Sequence, residues 1–142
     1  MISPLQTLNF RIEIDQIQVA TFIECHGLEI YRNYSFYYEG GNNEFAYTIP
    51  GPVYHPPIFL KKGIIHNIVF FDWFNMKSQD EQLRKNGSII LCKPNGEEAH
   101  RWNFFNALPV RWTGPSFNAL RDELAIEAIE LVHEGLILVK NS

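Results

Sequence analysis

From Leu8 to Ile14 apolar and polar side chains alternate without a break: Leu8, Phe10, Ile12 and Ile14 fall on one side, Asn9, Arg11 and Glu13 on the other. A period of two puts one face of a β-strand in a core and the other in water. The same residues on a helix would scatter their apolar members around the circumference. One-sided strands of this kind belong to antiparallel sheets, so the opening segment commits the chain to a β architecture. Asp15-Gln16 then predicts a tight turn into Ile17 to Phe22, which completes an N-terminal hairpin. The stretch from Ile23 to Tyr38 is again strand-rich, with a break near Gly27.

The character changes at Glu39. Between Glu39 and Pro57 lie Gly40, Gly41, Asn42, Asn43, Pro50, Gly51, Pro52, Pro56 and Pro57, with Phe45, Tyr47 and Tyr54 among them. Gly-Gly-Asn-Asn is turn chemistry and proline removes backbone donors, so residues 39–57 are expected to form one long irregular loop. Excursions of that length inside a compact domain are uncommon and often functional. Aromatic side chains are poorly placed in a loop that stays in water, but they suit anchors in a neighbour's pocket. Gly40, Gly41, Asn42, Asn43, Phe45, Tyr47 and Tyr54 are therefore expected to contact another subunit; the alternative is a loop folded over its own core.

Ile58 to Lys62 returns to strand, and residues 66–77 make the best helix, with Val69, Trp73 and Met76 on one side and Ile68, Phe71, Asp72 and Asn75 on another. Ser88 to Leu91 and Ala99 to Phe105 flank Pro94-Asn95-Gly96, a hairpin signal. Val110 to Trp112 and Leu136 to Val139 add short strands, whereas Leu124 to His133 fits helical and alternating patterns about equally. The sum is mainly β, a two-sheet sandwich or barrel with one flanking helix. Trp73, Trp102, Phe104 and Trp112 are its candidate structural aromatics, belonging to the core or to a subunit contact.

At 142 residues the chain is expected to be a single domain over 1–142. Its net charge of −4 and the lack of any basic cluster beyond Lys61-Lys62 and Arg84-Lys85 disfavour specific nucleic-acid recognition. The longest apolar run, Ile68 to Phe74, is interrupted by Asp72 and is too short for a membrane anchor; Met1-Ile2-Ser3-Pro4 does not open a signal peptide. No Gly-x-Ser-x-Gly elbow, P-loop or His-Glu-x-x-His helix is present, so no catalytic residues and no cofactor are expected. Cys25-His26, Cys92 and His100 lack the close-spaced pairs of zinc sites, which argues against a bound metal and for reduced, structural thiols. His133-Glu134 pairs an acid with a base, but no nucleophile is placed beside it.

The ordered motifs of the second half carry a resemblance. Arg84-Lys85-Asn86-Gly87-Ser88-Ile89 is followed by Arg101-Trp102-Asn103-Phe104-Phe105-Asn106-Ala107-Leu108-Pro109, then Trp112-Thr113-Gly114-Pro115, Asn118-Ala119, and Glu127 through His133-Glu134-Gly135-Leu136. With Phe10-Arg11-Ile12-Glu13-Ile14, Gly27-Leu28-Glu29, Tyr38-Glu39-Gly40-Gly41-Asn42 and Leu60-Lys61-Lys62-Gly63, this order resembles the inner tail-tube family of contractile phage tails and extracellular contractile injection systems. The resemblance spans about Leu8 to Val139. It implies a strand at Leu124 to His133 and homohexameric rings stacked into a hollow tube. It further implies contraction of a surrounding sheath protein, baseplate, spike and terminator proteins as partners, and protein or DNA cargo in the lumen. Assembly in a bacterial cytoplasm and a final place in a phage tail or injection particle would follow. Alternatives are a tube-initiator paralogue at the baseplate end, a β-barrel small-ligand binder or enzyme, and a type VI tube protein, from which the Trp-Asn-Phe and His-Glu-Gly-Leu motifs point away.

Overall fold

The computed structural model describes residues 9–15, 17–41, 44–63, 69–115, 120 and 126–139. Its elements are β1 (Asn9–Ile14), β2 (Ile17–Phe22), β3 (Glu24–His26), β4 (Tyr31–Tyr37), β5 (Tyr47–Tyr54), β6 (Ile58–Gly63), α1 (Val69–Phe74), β7 (Lys85–Cys92), β8 (Glu98–Thr113), β9 (Ile126–Val132) and β10 (Gly135–Val139). The large antiparallel ladder runs β2-β1-β7-β8-β9-β6-β3, with β10 added beside β8, and β4-β5 form a separate two-stranded ribbon.

The ladder folds into two layers because β8 serves both. Its first half pairs with β7 and β10, with Ser88 opposite Asn103 and Gly135 opposite Phe105. Its second half pairs with β9, with Leu108 opposite Val132 and Thr113 opposite Ala128. The bend falls at Asn106, which adopts φ 50°. Asn tolerates the left-handed region better than most residues, and here it is also tied down. Asn86 Oδ1 accepts from its amide at 2.9 Å, and its own Nδ2 donates to Glu134 Oε2 at 2.8 Å. The two short strands expected at Ala99 to Phe105 and Val110 to Trp112 are thus one bent sixteen-residue strand. The strands do not close into a barrel. β2 and β3 follow one another at the ladder's two ends, and the link between them is tied to β6 by the Ile23 amide donating to the Lys61 carbonyl at 2.9 Å.

Alternation does what the sequence predicts. Ile12 and Ile14 of β1, Ile89 and Phe104 of the first layer meet Ile58, Leu60, Ile129 and Leu131 of the second. Burying each such side chain stabilises the fold by about 1.5–3 kcal/mol. β9 settles the ambiguous segment as a strand: Glu127, Ile129 and Leu131 point inward in a period of two, while 124 and 125 lie outside the described residues. Helix α1 closes one end, burying Phe70 and Trp73 and leaving Phe71 and Phe74 exposed. Residues 66–68 of the expected helix lie outside the described residues, and past Phe74 the chain turns. Trp73 Nε1 donates to the Leu83 carbonyl, which fixes the return toward β7.

One expectation fails. Residues 39–57 are not a continuous irregular loop, because β5 runs through Pro50 and Pro52 and pairs with β4. Proline is excluded from central strands, but a two-stranded ribbon has two free edges that need no donor. The register also slips between Arg32 and Tyr34, giving Pro52 a bulge to occupy, while Pro50 stands opposite Tyr34. Gly51 sits there because a Cβ would lie 3.0 Å from the Asn33 carbonyl oxygen.

Candidate intersubunit surface

The ribbon is built from strand-forming aromatics on both faces. Tyr34 and Phe36 share one face in an edge-to-face contact at 5.5 Å. Tyr37 stands opposite Tyr47, which meets Phe45 edge-to-face at 5.1 Å. At the root Tyr31 stacks on its cross-strand partner Tyr54 at 5.5 Å, and Tyr31 Oη donates to Glu29 Oε2 at 2.6 Å. Arg32 Nη1 reaches across to the Gly51 carbonyl at 3.1 Å. Cross-strand pairs of this type hold a hairpin in register at a few tenths to about 1 kcal/mol each.

What the ribbon lacks is cover. Every β4 side chain is exposed and all but one of β5. Eleven of the eighteen exposed large apolar side chains among the described residues lie between Ile30 and Tyr54, with Tyr34 at 64% and Tyr38 at 67%. Neither β4 nor β5 packs extensively on any strand of the sandwich. With aromatic rings presenting roughly 200 Å² each, half-exposure of the ribbon's aromatics leaves roughly 800 Å² open. That exceeds the largest apolar patch of a typical monomer and matches one partner's share of a standard protein interface.

Of the residues expected to make the contact, Phe45, Tyr47 and Tyr54 are exposed on the ribbon, and Gly40 and Gly41 form its tip. Gly41 takes φ 86°, a turn conformation glycine adopts freely. Asn42 and Asn43 lie outside the described residues. Sequence reasoning missed Tyr31, Tyr34, Phe36 and Tyr37. Their signal was an aromatic run without period-two alternation, the pattern of a strand with no buried face. The expected structural aromatics lie elsewhere: Trp73 and Phe104 are fully buried, while Trp102 and Trp112 pack half-buried against the core. Trp112 Nε1 donates to Glu127 Oε2 at 2.8 Å, pairing one oxygen of a carboxylate that faces inward.

The sandwich's other polar features are structural in geometry. On the outer face of the first layer Arg101 holds Glu98 at 2.6 Å and Glu13 at 3.1 Å, and Arg11 reaches Glu98 at 3.8 Å. The Arg101 guanidinium keeps the Glu98 carboxyl below its ordinary range. Burial pushes the Cys25 thiol up to about 12, which leaves it protonated and unreactive at neutral pH. Cys25-His26 on β3 do not converge with Cys92 and His100, and no described residues form a group of three or more metal-ligating side chains. No helix among the described residues is long and apolar enough to cross a membrane.

Known proteins share this arrangement. A family model described as "T4-like virus tail tube protein gp19" matches residues 6–137. A chain of the sheath-tube complex of the PVC extracellular contractile injection system, extended state, is 28% identical over 92% of this chain and 87% of its own, with a TM-score of 0.81. A chain of the anti-feeding prophage tube-terminating cap is 28% identical over 99% of this chain and 94% of its own, with a TM-score of 0.84. A chain of the PVC sheath/tube terminator is 27% identical over 99% and 98%, with a TM-score of 0.82. No curated protein matches the chain.

Proposed function

The chain belongs to the T4-like virus tail tube family, and we propose that it closes into hexameric rings that stack into a hollow inner tube through its β4–β5 ribbon. It is a structural subunit of the contractile tail and injection-system kind. The observation that carries the finer reading is the ribbon's uncovered aromatic surface, which is the size of one side of a stable interface. Free strand edges on the ribbon and the ladder supply lateral pairing between copies, and the ribbon supplies the projection that reaches a neighbour. On this reading the tube is surrounded by a sheath and seated on a baseplate with its spike. A terminator caps it, protein or DNA cargo fills it, and it has no catalytic activity. It is assembled in the bacterial cytoplasm before it travels in the particle.

A second reading has its own support: chains from the tube-terminating cap and the sheath/tube terminator structures are matched over 99% of this chain, against 92% for the chain from the sheath-tube complex. On that reading the chain caps a tube and does not form its body. Electron microscopy of the purified chain separates the readings, since a tube subunit gives stacked tubes and a cap gives single rings. Replacing Tyr34, Phe36, Phe45 and Tyr47 by Thr keeps strand propensity while removing the apolar surface. The variant is expected to fold with an unchanged melting profile and to form no tubes. Tubes of normal length from it would place the contact elsewhere.

A further inference from the structure

Where the ribbon rejoins the sandwich, two imidazoles meet. His55 follows β5 and His133 follows β9, with ring centroids 5.1 Å apart and planes tilted by 40°. The β6–β9 register, with Ile58 opposite Leu131, brings the ribbon's returning chain to the β9–β10 corner. His133 Nδ1 lies 3.0 Å from the Gly135 carbonyl oxygen, so that nitrogen carries the proton and donates it. Nε2 of His133 and Nδ1 of His55 are both buried, and neither has a hydrogen-bond partner. The tube reading uses neither ring.

Neutral imidazoles can share such a joint; two imidazolium ions 5.1 Å apart repel one another, and partial burial weakens the screening of that repulsion by water. The neighbouring acids are engaged elsewhere. Glu134 is held by Arg84 at 3.3 Å and by Asn106 at 2.8 Å. Glu24 of β3 is held by Lys61 of β6 at 3.3 Å and by His26 at 2.7 Å. His55 is the titratable side chain whose charge acts on His133. We propose that the His55–His133 pair is an acid-sensitive latch: neutral, it holds the root of the ribbon on the β9–β10 corner, and protonated, it releases it.

Burial pushes the His133 ring below its ordinary value, and a charge on His55 pushes the same way; the Gly135 and Pro56 carbonyls oppose this without reversing it. A depressed value means that the closed joint binds a proton less readily than the open chain. Closure is therefore fully favoured above the ordinary pKa of 6.5 and weakens as pH falls below it. The latch is a property of the single subunit and holds whether or not the ribbon contacts another copy.

Hydrogen exchange of the full, unassembled chain tests it, comparing ribbon peptides with β7 peptides at pH 8 and pH 5 after correction for intrinsic rates. The wild type is expected to lose protection in the ribbon at least tenfold at pH 5, with β7 unchanged. His133→Asn, whose amide can still donate to Gly135, and His55→Gln are each expected to lose less than threefold. Either variant suffices if the other fails to fold. A proton NMR titration is expected to place the His133 midpoint below 6.5. A ribbon already unprotected at pH 8, equal loss in wild type and variants, or a His133 midpoint at or above 6.5 would overturn the latch. Tube assembly enters none of these readings, so their outcome is separate from that of the tube proposal.

Discussion

Gly87 sits in mid-strand where most strands carry a side chain, paired with Ile14 on one side and Phe104 on the other. A Cβ there would meet the Phe104 ring at 2.4 Å and the Glu13 carbonyl oxygen at 2.6 Å. Real Cβ atoms do not approach that closely, so Gly87→Ala must displace both a core ring and the backbone of β1. Overpacking of a close-packed interior costs about 1–3 kcal/mol, and a clash against backbone belongs at the upper end. Against this stands a gain of about 0.4–1 kcal/mol from the smaller unfolded-state entropy of Ala. The net expectation is a loss of about 2 kcal/mol, read by urea unfolding of the unassembled subunit. Phe104 is fully buried, so Phe104→Leu alone is itself destabilising. In the double variant, however, the smaller side chain makes room for the methyl, and Gly87→Ala should cost about 1 kcal/mol less than it does alone. A neutral Gly87→Ala, or strict additivity in the cycle, would refute the steric reasoning.

Two further outcomes follow from the corner and the ion-pair face. At Asn106, φ 50° and the bond to Glu134 act together. Asn106→Gly loses the bond but keeps the conformation, so Asn106→Ala, which loses both, should be about 1 kcal/mol less stable than Asn106→Gly by thermal or urea unfolding. Glu98 is held below its ordinary value of 4.5 by hydrogen bonding to Arg101. Its contribution is complete above that value and is lost as pH falls through the lower folded value. Glu98→Gln should therefore flatten the fall in stability below pH 4.5 by no more than about 1 kcal/mol, the pair being partly solvated.

The sandwich was legible where one face of an element is buried. Ile12 and Ile14 announce β1 because the residues between them are polar, and Pro94-Asn95-Gly96 announces the β7–β8 turn, where Gly96 takes φ 91°. β9 was ambiguous because Glu127 occupies an inward position, where the indole of Trp112, fifteen residues away, donates to it. The continuity of β8 was hidden by the bend at Asn106, whose cause lies in side chains from β7 and the β9–β10 corner. The candidate site was legible as an anomaly in composition but not as a strand. Pro50 and Pro52 argue against pairing until the partner is known to be a ribbon with open edges.

The same open edges bear on how copies join. If ribbons bound one another face to face, the contact would be isologous and assembly would stop at a dimer with both surfaces covered. A ribbon that docks on a different surface of the next copy makes a heterologous contact, which closes into a ring or continues without limit. Membership of a tube family favours the second arrangement. It also fits the chemistry, since the ribbon is aromatic on both faces while the outer face of the first layer is a balanced set of Arg and Glu pairs. A two-stranded ribbon standing alone is only marginally stable in water. A contact that covers both its faces therefore adds to the ribbon's own stability as it joins the subunits.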